Sequence, residues 1–183
     1  MKYFKLILLL IPIQIIQAQP AKGLFWGGSI NADMIIEQTN VNYHFELLPP
    51  PNIYFHLGNV FNEYFRVDLY AGYTAWSGNW NGFDLGAALK SEIYDRTYIT
   101  LCFSYNPIYG GSGEGMQAPI YYKKTFTYSG IGAGYYITRI AYVQLNYLLP
   151  LNLDKTYSIS YDGKTTSQLI SKLKLDFGWN FSL

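Results

Sequence analysis

From residue 24 to the C-terminus the chain alternates apolar and polar residues with a period of two, and every charge inside an alternating segment falls on the same side. A period of two is that of a β-strand, whose successive side chains point to opposite faces. Helical periodicity is almost absent. The alternation recurs in eight segments: residues 24–36, 53–61, 64–76, 82–93, 97–106, 126–137, 140–149 and 170–183. In the third, Phe65, Val67, Leu69, Ala71 and Tyr73 oppose Arg66, Asp68, Tyr70, Gly72 and Thr74. In the last, Leu173, Leu175, Phe177, Trp179, Phe181 and Leu183 oppose Lys172, Lys174, Asp176, Gly178, Asn180 and Ser182. The fold class this predicts is all-β.

The charges of the polar faces are Asp33, Arg66, Asp68, Asp84, Lys90, Glu92, Lys172, Lys174 and Asp176. Such a pattern suits a sheet that buries one face, and periodicity alone does not say whether the apolar face meets a protein core or lipid. The connections discriminate. Short turns near 62–63, 94–96 and 138–139 alternate with longer connections at 37–52, 77–81, 107–125 and 150–169. Short turns at one end, long loops at the other and an even strand count are the pattern of a barrel that crosses a membrane. Closure is required there, because an edge strand in lipid would leave N–H and C=O groups unpaired. The expected architecture is an eight-stranded antiparallel up-and-down transmembrane β-barrel over residues 19–183.

Residues 1–18 read as an export signal. Lys2 and Lys5 precede an apolar run at 6–16, and Ala18 supplies a small residue for cleavage. The run is shorter than the roughly 20 residues of a spanning helix. Export by the Sec route to a Gram-negative outer membrane is the expected localisation. A formal charge of +1 excludes the usual basic nucleic-acid binder, and a single cysteine excludes a disulfide scaffold.

Aromatic residues make up 19% of the chain, and they gather toward the segment ends as two membrane-interface belts would. Phe61, Phe65, Tyr94, Tyr98, Tyr135, Tyr136, Trp179 and Phe181 fall near the short turns. Phe55, Tyr73, Trp76, Trp80, Phe83, Tyr105, Phe126 and Tyr147 fall near the loops.

Three stretches carry a family resemblance: Asn59-Val60-Phe61-Asn62-Glu63-Tyr64-Phe65 at a short turn, the glycine-rich Ser129-Gly130-Ile131-Gly132-Ala133-Gly134-Tyr135, and the ending Phe177-Gly178-Trp179-Asn180-Phe181-Ser182-Leu183. With them, residues 22–183 resemble the small eight-stranded outer-membrane barrels of the OmpA/OmpX type, and especially the outer membrane protein beta-barrel domain proteins of Bacteroidota. The ending is similar to the strand read by the barrel-assembly machinery, with Leu183 where the commonest form has Phe. The resemblance implies outer-membrane lipid and that machinery as partners, and it brings no catalytic motif.

Candidate sites are therefore few. The lumen of an eight-stranded barrel is just filled by side chains, so charges confined there are expected to pair as a plug, with lumen glycines making room for long side chains opposite. His56 is expected in the lumen near the loop end. If Ile36 pairs with Ile53, Asp33 lies opposite His56 as a polar pair, and no serine falls beside them. His44 lies in the first loop. Cys102 faces the lumen as an inert thiol. Tyr121, Tyr122, Lys123 and Lys124, in a glycine-rich loop, form a candidate interaction surface. Neither metal site, cofactor nor catalytic residue is expected. The reading is a non-enzymatic membrane barrel with a structural or surface-interaction role. Its rivals are a small low-conductance pore, a secreted lipocalin-like binder of an apolar ligand, and a lipid A-modifying acyl enzyme.

Overall fold

The computed structural model describes residues 22–39, 42–62, 64–74, 82–108, 124–152, 155–160 and 163–183. The leader at 1–18, Trp76, Trp80, Tyr121, Tyr122 and Lys123 lie outside the described residues, as does the side chain of Lys124.

The strands are β1 (Gly23–Thr39), β2 (Tyr43–Val60), β3 (Phe65–Thr74), β4 (Gly82–Tyr94), β5 (Thr97–Ile108), β6 (Lys124–Tyr136), β7 (Ala141–Pro150), β8 (Lys155–Ser160) and β9 (Gly163–Ser182). Each of β1 to β7 pairs antiparallel with the next, β7 pairs with β9, and β9 pairs back onto β1. Eight strands thus close the sheet on itself, while β8 pairs with the first part of β9, from Lys155↔Gln168 to Ser160↔Gly163. The long connection expected at 150–169 is for the most part this hairpin.

Local chemistry fixes the short turns. Asn62 Oδ1 accepts the backbone N–H groups of Tyr64 and Phe65 at 2.9 and 2.8 Å, an Asx-type turn. Thr138 Oγ1 does the same for Ile140 and Ala141 at 3.2 and 3.0 Å. Between β4 and β5 the chain reverses at Asp95-Arg96, with Arg96 in the left-handed region at φ 65°.

The first hairpin departs from expectation. The alternation of 24–36 continues to Thr39, and β2 begins at Tyr43, so most of the expected loop at 37–52 is paired strand. Its register is Ile30↔Ile53, not Ile36↔Ile53. Pro49-Pro50-Pro51 bring no N–H to a ladder, so they break the pairing rather than the strand. The register passes from Asn31↔Asn52 to Asp33↔Leu48, a bulge that places the three prolines opposite Ala32.

Burial follows the parity of every barrel strand. Leu57, Leu69, Leu85, Leu101, Leu145 and Phe177 point outward and are about half exposed. Asp33, Asp68, Asp84, Lys90, Lys172, Lys174 and Asp176 point inward and are buried. A continuous apolar exterior over a charged interior is the inverse of a water-soluble fold. It matches hydrocarbon outside, and the barrel spans a membrane.

Candidate functional site: the lumen network

Interior side chains come from alternate positions of all eight barrel strands, and cross-strand register decides who meets whom. Aromatic rings cover inward glycines directly across the ladder: Phe25 over Gly58, Tyr54 over Gly72, Tyr70 over Gly86, Tyr98 over Gly134 and Tyr142 over Gly178. Tyr98 and Tyr136, expected in an interface belt, are consequently buried inside, where they pack with Tyr142. Phe126 is also inside, because it shares its face with Tyr128 and Gly130 rather than with Ile131. The other described belt residues, Phe55, Phe61, Phe65, Tyr73, Phe83, Tyr94, Tyr105, Tyr135, Tyr147, Trp179 and Phe181, point outward.

Asp68 is the hub of the charge network. Its carboxylate accepts from Lys90 Nζ at 2.9 Å, meets His56 Nδ1 at 3.2 Å, and lies 3.6 Å from Arg66 Nη2. Nearer the loops, Lys172 Nζ pairs with Asp33 at 2.7 Å, and Asn52 donates to the same Asp33 oxygen at 3.4 Å. Lys174 lies 3.7 Å from Asp176 and also sits over the Tyr54 ring, its Nζ 3.7 Å from the centroid. Asp176 further accepts from Asn146 at 2.7 Å. Asp84 accepts from the hydroxyls of Tyr54 and Ser104. Of the nine charges named from the sequence, Glu92 alone is only half-buried, at the short-turn mouth.

The expected His56–Asp33 pair does not form. The six-residue change of register at Ile53 moves Asp33 toward the loops, where it meets Lys172, and brings Gly27 opposite His56. His56 also lies in the short-turn half of the lumen, beside Asp68 and Lys90, and not near the loop end. The same shift supplies the serine that the expected pairing left out: Ser29 Oγ lies 2.9 Å from His56 Nε2. Ser29, His56 and Asp68 therefore form a hydrogen-bonded series. All three are buried, and Ser29 Oγ also bonds Asn31 Oδ1 at 3.0 Å. The narrow space beside His56, about 20 Å³, is not lined by Ser29.

At the loop end Ile35, Phe126, Tyr128, Leu148 and Leu169 form an inward apolar cluster, with Phe126 and Leu169 fully buried. Alternation alone did not reveal it, since these apolar residues stand at polar-face positions. Glu37, expected in a loop, is buried in β1. Cys102 lies inside the same cluster, its Sγ 3.4 Å from the Gly130 carbonyl oxygen. Among the described residues, no group of three or more His, Cys, Asp or Glu side chains is placed to hold a metal ion.

Fold and interior together define a small membrane-spanning β-barrel with a buried, ion-paired interior. Among solved structures the chain is similar to the outer membrane protein OprG from Pseudomonas aeruginosa, with 11% identity and a TM-score of 0.49 over 91% of this chain and 99% of that one. It is similar also to Ail, the attachment invasion locus protein of Yersinia pestis, with 11% identity and a TM-score of 0.48 over 88% and 100% of the two chains. Neisserial surface protein A (NspA) gives 13% identity and a TM-score of 0.45 over 88% and 100%. No protein-family model matches the chain, and no curated protein sequence does either.

Proposed function

We propose that this protein is an integral component of the Gram-negative outer membrane with a structural or surface-interaction role, without enzymatic activity and without an open pore. The observation that carries this reading is the twofold filling of the lumen. Apolar side chains around Phe126 and Leu169 occupy its loop end, and the ion pairs around Asp68 occupy the region toward the short turns. Ions entering such a lumen would have to displace buried paired charges, whose disruption is costly.

Outward reach supports the surface role. At the loop end β1, β2 and β9 run on together beyond the described pairings with β3 and β7, with β8 paired to β9 there, and Tyr43, Phe45 and Leu47 are exposed on that extension. The short turns and both chain ends then face the periplasm. On this reading residues 1–18 direct export, cleavage follows Ala18, and the final strand ending at Leu183 engages the barrel-assembly machinery.

Two measurements test the proposal. On SDS gels the outer-membrane fraction should run differently boiled and unboiled, as a closed barrel does, and the purified protein should leave planar bilayers silent. Discrete conductance steps would replace this reading with the small pore. Recovery from the soluble fraction, without a mobility shift, would replace it with the lipocalin-like binder.

A further inference from the structure

The ladder register fixes how high each outward residue stands on the barrel. A line of cross-strand partners that leaves β1 at Leu24 passes Val67, Leu101 and Tyr147 and returns to β1 at Met34. One circuit thus climbs ten residues along β1, from Leu24 to Met34. At about 3.3 Å per residue and a tilt of about 40°, that climb is roughly 25 Å along the axis, the height of the apolar band of such a barrel. Met34 and its partner Leu47 therefore stand near the level of the outer rings Tyr73, Phe83 and Tyr105. Phe45 and Tyr43 follow on the same face, roughly 10–15 Å beyond those rings. Both are 63% exposed. Ile36 is the direct partner of Phe45, and Gln38 that of Tyr43. The strip continues the lipid-facing wall without a break, yet it rises past the depth of hydrocarbon.

We propose that Tyr43 and Phe45 hold sugar rings of the outer-leaflet glycolipid, in its core-saccharide layer. The inference rests on the surface role proposed above and names its partner. Position selects the glycolipid, because the outer leaflet of a Gram-negative outer membrane carries saccharides directly above its acyl chains, at the depth these two rings occupy. Composition selects its sugars over its phosphates. Met34, Ile36, Gln38, Tyr43, Phe45 and Leu47 carry no charge, so this strip offers a phosphate no ionic partner. The two exposed rings stand two residues apart on one strand, about 7 Å from each other, which lets them engage adjacent sugars of one chain. Aromatic faces cover the C–H face of a pyranose, while the Tyr43 hydroxyl and the Gln38 amide beside it supply donors and acceptors for sugar hydroxyls.

The test uses the folded mature barrel in phosphatidylcholine vesicles that contain either rough lipopolysaccharide or lipid A, which has the acyl chains and phosphates but lacks the core sugars. A ligand that binds only the folded state raises stability, so the urea midpoint should be higher with rough lipopolysaccharide than with lipid A. The double variant Tyr43→Ala/Phe45→Ala should abolish that rise and leave the lipid A midpoint unchanged, since both side chains are exposed. A spin label at Phe45→Cys, with Cys102→Ser removing the native thiol, reports the occupant. It should meet a water-soluble nickel complex freely with lipid A and several-fold less with rough lipopolysaccharide. No rise in the wild type, or an equal rise in the double variant, would overturn the site. A label that meets oxygen as one at Leu69→Cys does would also overturn it, by placing the strip in hydrocarbon. A label protected with lipid A, but only at high barrel density, would make the occupant a second copy instead. The heat-modifiable gel shift is read in every preparation: with it present, these failures concern the sugar site alone, whereas its loss in the wild type would withdraw the outer-membrane barrel on which the site rests.

Discussion

The ring of Tyr98 lies over Gly134, its direct partner across the β5–β6 ladder, so closely that a Cβ on Gly134 would come within 2.2 Å of Tyr98 Cζ. The phenol is held in that position at its far end, where its hydroxyl donates to Gln144 Oε1 at 2.9 Å. Gly134→Ala must therefore displace a ring that is hydrogen-bonded as well as packed. We expect a loss of about 1–3 kcal/mol, the usual cost of overpacking. Adding Tyr98→Ala should return part of that loss, because the two changes share one contact. Urea unfolding in lipid vesicles measures both, and strict additivity would show that the ring does not constrain the glycine.

The outer surface makes the opposite demand. Leu69 is 54% exposed at the middle of β3, with Leu57 and Ala87 beside it in the ladders. In water an arginine there would be harmless. At mid-membrane Leu69→Arg should cost about 2–4 kcal/mol, or prevent assembly. A Leu69→Arg barrel that unfolds at the wild-type urea concentration would place this face outside hydrocarbon.

Asp68 holds two buried cations and a histidine, so removing its charge should be severe. Asp68→Asn leaves Lys90 and Arg66 without their ionic partner, and we expect a loss of about 3–5 kcal/mol. Pairing it with Lys90→Met removes the stranded ammonium and places an apolar chain near the rings of Tyr98 and Tyr142, over which Lys90 Nζ now sits. The double variant should be more stable than Asp68→Asn alone. If both unfold alike, the Lys90 pair contributes nothing distinct to the network.

The alternation made the strands, their inward and outward faces and their charged interior legible, because one slip of register would carry Asp68 or Lys90 into lipid. Arg66, Asp68 and Lys90 stand at inward positions whatever the details of pairing. Pairing itself was less legible in the first hairpin. Pro49-Pro50-Pro51 reads as a loop, yet a bulge absorbs it, and the strand pairs on both sides. That one irregularity misplaced Asp33 against His56 and hid Ser29. The apolar closure around Phe126 and Leu169 was hidden for another reason: an inward Phe or Leu among polar neighbours looks like a lapse in alternation, and only the closed barrel brings such residues together. Tyr98 and Tyr136 illustrate the ambiguity of aromatic residues, which suit an interface belt and an inward glycine equally well until parity is applied.

Ser29, His56 and Asp68 have the connectivity of a nucleophile, a base and an orienting acid, with 2.9 Å from Ser29 Oγ to His56 Nε2 and 3.2 Å from His56 Nδ1 to Asp68. Connectivity is not sufficient for acyl transfer, which also needs room for an acyl carbon beside the hydroxyl and donors for the oxyanion. Ser29 is fully buried, and its oxygen is also engaged with Asn31. The Asp68 carboxylate is shared with Lys90, which holds it for the ion network rather than for the imidazole alone. We therefore expect Ser29→Ala to cost stability and nothing else: about 1 kcal/mol, the scale of one hydrogen bond in a folded protein. Mass spectrometry of lipid A from cells overproducing the wild type, Ser29→Ala or His56→Ala should give one profile. A change in acylation with the wild type that disappears in both variants would instead make the series a catalytic centre and return the acyl-enzyme reading.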